Sequence, residues 1–312
     1  MVIVTGGAGF IGSNLVKQLN LRGINDILVI DNLTNGRKFT NLSGLDFVDY
    51  IDKDDFLECL CKKDFYPNID AIFHQGACSN TIEWNGRYMM DTNYSYSKHL
   101  LNKCLELSIP FIYASSASVY GNNPVSIESR EHEKPLNMYA FSKFQFDQYV
   151  RTIMPQKSQI VGLRYFNVYG PGEAHKESMA SVMWHFHKQL MASNTISLFK
   201  GYSGYKDGEQ LRDFIYVEDV VNVILWIYDN PQISGIYNLG TGEAKSFNDV
   251  ANSMITFYGH GRIQYIPLPL HLNGVYQSYT QANMTKLIEK GYDNDFTQLQ
   301  IGIERYMRFL DL

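Results

Sequence analysis

The first 165 residues alternate short apolar runs with longer amphipathic segments. The apolar runs are rich in β-branched and aromatic residues, which predicts strands, and the segments between them predict helices. Because the runs are almost continuously apolar, their strands should pair in parallel and be covered on both faces. Right-handed crossovers then produce a doubly wound α/β sheet. The predicted strands are 3–5, 27–31, 71–75, 110–115 and 159–165, and the predicted helices are 10–22, 93–107 and 141–153.

Beyond that point the regular alternation gives way to loops rich in glycine, tyrosine and charge. These loops occupy residues 170–178, 201–213 and 267–279. We therefore predict a smaller substrate-binding cap that is interleaved with the main domain, a division that suits a chain of 312 residues. The main domain is expected to span 1–167, with returns near 213–240 and 277–295. The cap is expected to comprise 168–212, 241–276 and 296–312.

The charge balance is acidic, with 27 Lys and Arg residues against 32 Asp and Glu residues. No run of basic residues interrupts it, which argues against a nucleic-acid partner. The N-terminal stretch MVIVTGG has no basic region or signal-peptide core, and no apolar stretch approaches the length of a membrane span. We expect a cytoplasmic protein without a membrane partner.

Cysteine and histidine spacing predicts no metal site. The spacing of the cysteines fits neither a C-x-x-C redox motif nor a paired zinc pattern. His185 and His187 are two residues apart in a predicted helix over 179–192, so they do not share a face of it. The cysteines are Cys59, Cys61, Cys78 and Cys104.

A glycine-rich turn follows the first predicted strand. Residues 5–12 read TGGAGFIG and place Gly6, Gly9 and Gly12 in the spacing G-x-x-G-x-x-G, immediately before the first helix. Glycine permits positive φ and a close approach of backbone to a pyrophosphate, and the helix N-terminus offers amide donors to the same group. A strand before the turn and a helix after it make this a predicted Rossmann dinucleotide site.

The identity of the dinucleotide depends on residues after the second strand. Asp31 ends that strand, where a carboxylate binds a ribose hydroxyl and favours NAD. Asn32, Lys38 and Lys53 nearby could instead hold a 2′-phosphate. We predict NADP, with NAD left open.

A proton-transfer set is predicted next to the dinucleotide. Tyr139 and Lys143 in YAFSK are four residues apart and share a helix face. An ammonium about 4 Å from a phenol, at an effective dielectric near 20, contributes about 4 kcal/mol and could lower the pKa of the tyrosine from about 10 towards 7. Ser116 follows the strand 110–115 at the edge of the sheet where such proteins bind ligands. These three residues could exchange a proton with a carbinol.

Four of these stretches together resemble the extended short-chain dehydrogenase/reductase family, whose members act mainly on nucleotide sugars. They are TGGAGFIG, ASSASVYG (114–121), YAFSK and LRDFIYVEDVV (211–221). Three further stretches resemble its subfamily of ADP-heptose epimerases. They are EWNGRYMMDTNYSYSK (83–98), RYFNVYGPGEAHKESMASV (164–182) and YQSYTQAN (276–283).

The resemblance implies redox-neutral inversion of C6 of ADP-D-glycero-D-manno-heptose, through a 6-keto intermediate on one tightly bound NADP per subunit. The product supplies the inner core of lipopolysaccharide. Inversion requires proton exchange on both faces of the carbon, and the resemblance assigns it to Tyr139 and Lys176. The subfamily also implies a homo-oligomer, with a pentamer as the suggested size.

The resemblance also implies ligand contacts. Cofactor contacts are expected at Gly6, Gly9, Phe10, Ile11, Gly12, Asp31, Asn32, Lys38, Lys53, Gln75, Gly76, Ala77, Cys78, Ser79, Asn93, Tyr139, Lys143, Val168 and Lys176. Substrate contacts are expected at Asn167, Ser178, His185, Phe199, Lys200, Gly201, Tyr202, Arg212 and Tyr276. Arg212 offers a bidentate fork for a diphosphate, or else an ion pair with the adjacent Asp213.

Three other functions stay open from the sequence. A UDP-hexose 4-epimerase or another nucleotide-sugar epimerase or reductase would use the same fold and the same triad. A 4,6-dehydratase is disfavoured because SSASVYG (115–121) lacks the Asp-Glu pair of such enzymes. A non-catalytic NADP-binding protein would not need Ser116, Tyr139 and Lys143 together.

Overall fold

The structure is a computed structural model that describes residues 1–60, 62, 68–269 and 276–311. Cys61 and residues 270–275 of the predicted cap lie outside the described residues. The strands are β1 Val2–Thr5, β2 Ile27–Asp31, β3 Asp49–Asp52, β4 Ala71–His74, β5 Phe111–Ser116, β6 Ile160–Tyr165, β7 Asn167–Tyr169, β8 Thr195–Phe199, β9 Leu211–Tyr216, β10 Gly235–Leu239, β11 Ala244–Ser246 and β12 Arg262–Ile266. The α-helices are α1 Phe10–Leu21, α2 Lys53–Leu60, α3 Gly86–Met90, α4 Tyr96–Leu107, α5 Met138–Ile153, α6 Val182–Ser193, α7 Val217–Asp229, α8 Phe247–Tyr258, α9 Thr285–Ile288 and α10 Leu299–Leu310.

A seven-stranded sheet forms the centre of the molecule in the order β10-β6-β5-β4-β1-β2-β3. All of its strand pairs are parallel. Separate hydrophobic clusters cover its two faces, one built around α1 and α7 and the other around α4 and α5. The doubly wound fold expected from the apolar runs is therefore confirmed. The strand order reverses between β1 and β4, and such a reversal opens a ligand crevice at the carboxyl ends of the strands.

The predicted strands and helices of this domain are present, with small shifts of their ends. Strand β3 was missed because its sequence, DYID, is half polar, as an edge strand can be. Helix α4 begins only at Tyr96, after a π-helical turn over Asp91–Ser95. Helix α5 begins earlier than predicted, at Met138, where the Asn137 side chain accepts a hydrogen bond from the amide of Ala140. This cap places Tyr139 in the first turn of α5.

A third hydrophobic cluster lies apart from the main sheet. It joins α6, α8 and α10 to β8 and to the small sheet β11-β9-β7. We propose that this cluster is the core of the interleaved cap. Strand β9 lies in the small sheet and α7 packs in the core of the main sheet, so we propose that the return expected near residue 213 begins after Tyr216.

The described residues include no helix long and apolar enough to span a membrane. Cys59, Cys78 and Cys104 are free thiols.

Candidate active site

A cavity of about 640 Å³ opens at the carboxyl ends of β1, β4 and β5. Its lining includes most of the residues to which the sequence analysis assigned cofactor binding or proton transfer. A neighbouring cavity of about 360 Å³ shares Asp31 and Lys38 with it and adds Asn32 and Lys53. The larger cavity is lined by Gly6, Gly9, Phe10, Ile11, Gly12, Asp31, Lys38, Gln75, Gly76, Ala77, Cys78, Ser79, Ser116, Tyr139, Lys143, Val168, Lys176 and Ser178, among others.

The glycine turn leaves room only for backbone on its inner side. Gly6 has φ of +68°, and a Cβ there would lie 2.6 Å from the amide nitrogen of Gly76. A Cβ on Gly12 would lie 2.1 Å from the carbonyl oxygen of Gly6. Glycine is thus required at both positions, and the turn presents the N-terminus of α1 to the cavity. This arrangement fits the pyrophosphate of a dinucleotide.

The side-chain amide of Gln75 is a second feature of the cavity that indicates a bound ligand. Its Oε1 accepts a hydrogen bond from the hydroxyl of Tyr165 at 2.7 Å, whereas its Nε2 is buried without a partner in the described structure. A buried donor of this kind is costly unless a ligand or water satisfies it. Tyr165 and Phe166 also line the cavity, and the sequence analysis missed both. Their position at the end of β6 is the signal that could have revealed them.

Asp31 is buried and its carboxylate is already engaged by protein. Oδ2 accepts from the amide of Ala8 at 2.9 Å, and Oδ1 accepts from the amide of Asn32 at 2.7 Å and from Lys38 Nζ at 2.9 Å. Lys38 therefore neutralises the charge that would repel a 2′-phosphate. Lys53 lines the neighbouring cavity and pairs with Asp54.

The structure brings Ser116, Tyr139 and Lys143 together. The Ser116 side chain forms a hydrogen bond with Tyr139. Lys143 Nζ donates to the carbonyl of Ala114, near the end of β5, at 2.7 Å. The side chain of Lys143 is buried one helical turn after Tyr139, so the set lies between the end of β5 and the first turns of α5.

The pKa of Tyr139 differs from the sequence-based expectation. Burial raises this pKa, and the hydrogen bond from Ser116 only partly opposes the effect. Burial also lowers the pKa of Lys143 to about 8, against the opposing charge of Asp147. The expected lowering of the tyrosine pKa is therefore wrong for the protein alone, because both partners are removed from water. A tyrosine in this state is a neutral phenol at neutral pH, the form that donates a proton. Accepting a proton from a carbinol requires its phenolate form.

Asp147 lies one turn beyond Lys143 in a buried network that the sequence analysis missed. Its carboxylate accepts hydrogen bonds from Tyr113, Ser115 and Arg164, each at 2.9 Å. This network holds the end of β5, and with it Ser116, against α5. Nothing in the local sequence distinguished Asp147 from an ordinary helix acid.

Lys176 reaches the same cavity from the loop between β7 and α6. Its Nζ lies 5.4 Å from the ring centre of Phe10. Burial lowers its pKa, although Glu173 acts in the opposite direction. A lysine with a lowered pKa has a larger neutral fraction and can accept a proton. The next residue, Glu177, has φ of +49°, a strained value for a non-glycine residue and one that is concentrated at functional sites.

Glu173 holds this loop in place through hydrogen bonds that its carboxylate accepts from Ser181. It is fully buried, and its carboxylate accepts from the amide of Ser181 at 2.5 Å and from the Ser181 hydroxyl at 2.6 Å. The loop that carries Lys176 is therefore an ordered part of the site.

Asn93 lies outside the described lining of both cavities. Only 1% of its surface is exposed, and its amide bonds both the backbone N–H and the carbonyl of Cys78 as well as the hydroxyl of Ser142. It therefore holds the loop at 75–79 through Cys78, and the direct cofactor contact expected at Asn93 stays a prediction.

The expected substrate residues do not form one group. Ser178 lines the main cavity, whereas four others form an arginine–aromatic cluster in the cap. The Arg212 guanidinium lies 5.2 Å from the ring centre of Tyr276, and that ring contacts Phe199 and Tyr202. Strand β9, which carries Arg212, pairs with β7 beside the main cavity, where Asn167 lies opposite Phe214.

Arg212 does not form the ion pair with Asp213 that the sequence left open. Asp213 accepts instead from Thr241, Gly242 and Ala282. Arg212 is buried, donates to the carbonyls of Leu211 and Gln277, and has no carboxylate partner among the ion pairs of the described residues. A buried cation in this state suits an anionic ligand.

The remaining expected substrate residues lie outside both groups. His185 on α6 contacts the Trp184 ring, and Asn167 accepts a hydrogen bond from Thr280. Lys200 and Gly201 are exposed at the end of β8, where the Gly201 amide donates to Asp207. The described residues contain no cluster of three or more side chains that could hold a metal ion.

The fold and the site define an enzyme that binds a dinucleotide beside a tyrosine–lysine pair. A sequence model of the NAD dependent epimerase/dehydratase family matches residues 2–240, and the chain belongs to this family. The family resemblance of its motifs is thereby confirmed.

The chain is also similar to individual proteins over nearly its whole length. The chain is 54% identical, over 98% of its length and 96% of the relative's, to the ADP-L-glycero-D-manno-heptose-6-epimerase of Alkalilimnicola ehrlichii. Its fold is similar to the crystal structure of the Helicobacter pylori ADP-L-glycero-D-manno-heptose-6-epimerase, with a TM-score of 0.87, 34% identity, and coverage of 99% and 96% of the two chains. The Thermus thermophilus UDP-glucose 4-epimerase in complex with NAD is also similar, with a TM-score of 0.77, 28% identity, and coverage of 99% and 98%.

Proposed function

We propose that this protein is an isomerase that inverts C6 of ADP-D-glycero-D-manno-heptose, giving ADP-L-glycero-D-manno-heptose through a 6-keto intermediate. The observation that carries the proposal is that two ionisable side chains from separate elements, Tyr139 on α5 and Lys176 in the β7–α6 loop, line one cavity beside the glycine turn. The 54% identity to the A. ehrlichii enzyme supports the choice of sugar. The product is a precursor of the lipopolysaccharide inner core.

The roles of the residues follow from their contacts and charges. A nicotinamide held in the cavity beside the glycine turn would supply the hydride acceptor and donor for C6. Ser116 bonds the C6 oxygen, and Tyr139 exchanges a proton with that oxygen when it faces α5. Lys176, with its lowered pKa, exchanges the proton when the oxygen faces the β7–α6 loop. Lys143 keeps a positive charge one turn from Tyr139, supported by Asp147.

The nucleotide part of the substrate is assigned to the cap. Arg212, buried without an acidic partner in the described part of the chain, is suited to the diphosphate. Tyr276 and Tyr202 then form the wall beside it. We further propose that the enzyme is a cytoplasmic homo-oligomer, and the free thiols of Cys59, Cys78 and Cys104 suit a reducing compartment.

The decisive assay for this function needs no added cofactor. Purified protein incubated with ADP-D-glycero-D-manno-heptose should interconvert the two C6 epimers, observed by chromatography or NMR, because the hydride leaves and returns within one site. UDP-glucose serves as the control substrate and should stay unchanged. Conversion of UDP-glucose to UDP-galactose, with ADP-heptose untouched, would instead make the protein a UDP-hexose 4-epimerase.

The cofactor is proposed to be NADP. Lys38 neutralises Asp31, and Lys53 and Asn32 line the neighbouring cavity where a 2′-phosphate would lie. We expect the purified protein to release NADP on denaturation, identified by mass spectrometry. Lys53→Ala should lower the amount of NADP retained, whereas Lys62→Ala, a change outside both cavities, should not. Recovery of NAD alone from the unchanged protein would contradict the assignment.

A further inference from the structure

The loop that carries Lys176 is tied to the cofactor side of the main domain by a segment in which only Lys38 has so far been given a role. This segment is the 3₁₀ helix Gly36–Asn41, which follows β2 and contains Lys38. Its capping residue, Asn35, donates to the carbonyl of His175 at 3.3 Å. At its first turn, Arg37 pairs with Glu177 at 3.0 Å, an exposed contact of small expected value.

Asn41, at the end of the segment, makes the most informative contacts. Its Nδ2 donates to the carbonyl of Ala8, within the glycine turn, at 3.1 Å, and to the carbonyl of Gly172 at 3.0 Å. The two hydrogens of one amide therefore join the two walls of the cavity. The His175 ring nitrogen Nδ1 also lies 3.0 Å from the Gly172 carbonyl and 3.3 Å from Asn41.

A second contact on α1 strengthens the same connection. Asn14 Nδ2 donates to the carbonyl of Phe10 at 2.9 Å and to that of Pro171 at 2.8 Å. Phe10 is the residue whose ring faces the Lys176 ammonium. The Lys176 loop is thus attached to the glycine turn at Ala8 and to the first turn of α1 at Phe10, and both attachments are made by asparagine amides.

We propose that Asn41 is a positioning residue that places Lys176 over the cofactor and closes the cavity around it. Bound cofactor would lie between the glycine turn and the Lys176 loop, so its release requires these bonds to open. The same bonds hold the backbone of residues 172–175, directly before Lys176. Loss of the two hydrogen bonds that Asn41 donates should therefore affect two properties together, the retention of cofactor and the proton transfer by Lys176. This inference rests on the proposed function for its second part only.

The test uses the holoenzyme and the variant Asn41→Asp, which keeps the size of the side chain but removes both donated hydrogen bonds. The matched control is Thr40→Val, because Thr40 is on the same segment and, among the described residues, its hydroxyl bonds only the carbonyl of Arg37. Cofactor release is followed by fluorescence after dilution into an excess of an NADP-dependent dehydrogenase and its alcohol substrate, which together reduce released NADP⁺ to fluorescent NADPH. We expect release to accelerate about tenfold or more in Asn41→Asp, the scale of two lost hydrogen bonds, and to stay unchanged in Thr40→Val.

The second measurement separates positioning from simple destabilisation. Single-turnover reduction of bound NADP⁺ is recorded with each C6 epimer. Asn41→Asp should slow the half-reaction that requires Lys176 about tenfold or more and leave the half-reaction that requires Tyr139 nearly unchanged. In the Lys176→Met background, Asn41→Asp should cause no further loss in either half-reaction, because the two residues act through one path.

The release assay tests the role of Asn41 separately from the proposed function. If ADP-heptose is not a substrate, the release assay still decides whether Asn41 closes the cavity. Unchanged release in Asn41→Asp would overturn the closure, and equal loss of both half-reactions would overturn the positioning of Lys176. Asn14→Asp, measured in the same way, provides a second variant if Asn41→Asp does not fold.

Discussion

Tyr139→Phe is expected to slow epimerisation at least about 100-fold, the scale of general acid–base catalysis. The substitution removes the hydroxyl that bonds Ser116 and leaves the ring in the first turn of α5. Cofactor content should stay near that of the unchanged protein, because the glycine turn and Asp31 are untouched. Steady-state turnover with ADP-heptose and nucleotide content after denaturation are the two measurements.

The matched control for this variant lies on the same helix. Tyr149 is also in α5, and its hydroxyl donates to Asn102 at 2.6 Å, outside the described lining of both cavities. Tyr149→Phe makes the same chemical change and should leave turnover nearly normal. If Tyr139→Phe and Tyr149→Phe had equal, small effects, Tyr139 would have no part in the proton transfer.

Lys176→Met is expected to abolish most epimerisation while the fold and the bound NADP are retained. Methionine fills nearly the same volume beside Phe10 but cannot accept or donate a proton. With Tyr139 intact, one C6 epimer should still reduce bound NADP⁺ in a single half-reaction, measured by near-ultraviolet absorbance, and the other epimer should not. Tyr139→Phe should show the opposite preference.

If Lys176 only binds a phosphate group, a different result is expected. In that case Lys176→Met should raise KM and leave kcat largely unchanged, because only uniform binding is lost. Lys188→Met is the control, since Lys188 is an exposed lysine on α6 that lies over the Trp184 ring. Equal loss of both half-reactions in Lys176→Met, or loss of neither, would contradict the assignment of two proton carriers.

The pKa shifts of Lys176 and Tyr139 predict how the protonation states of these two residues depend on pH. Burial lowers the pKa of Lys176, so its neutral, proton-accepting form becomes available at a lower pH than for a solvated lysine. Burial raises the pKa of Tyr139, so its protonated form persists to a higher pH. The two shifts act in opposite senses, so the protein alone favours Lys176 as the proton acceptor and Tyr139 as the proton donor. Inversion in the reverse direction requires the two groups to have exchanged their protonation states.

Most of the fold could be predicted from local sequence. In runs such as ILVID every residue is buried, and all but the terminal Asp31 are apolar, because both faces of a parallel sheet are covered. The edge strand DYID was not recognisable, since an exposed strand carries no such pattern. In the cap the sequence predicted the helix over 179–192 and otherwise only loops, because the strands are short and β7, β9 and β11 pair across long sequence separations.

The site was predictable where a motif determines the backbone and less so where side chains meet from distant segments. Gly6 and Gly12 had to be glycine for steric reasons that a spacing rule captures. Tyr165, Asp147 and Asn41 belong to no such rule, and each acts through partners far away in the sequence. The direction of the Tyr139 pKa was also misjudged, because desolvation depends on the whole surrounding fold.

The sequence by itself determined the parallel sheet, the dinucleotide turn and the residue types for proton transfer, since those depend on periodicity and on short, rigid spacings. Only the tertiary structure decided that Lys176 shares a cavity with Tyr139, that Lys38 neutralises Asp31, and that Asn41 joins the two walls. The physical reason is that these properties arise from burial and from hydrogen bonds between segments as far as 131 residues apart in the chain. No local pattern specifies such contacts.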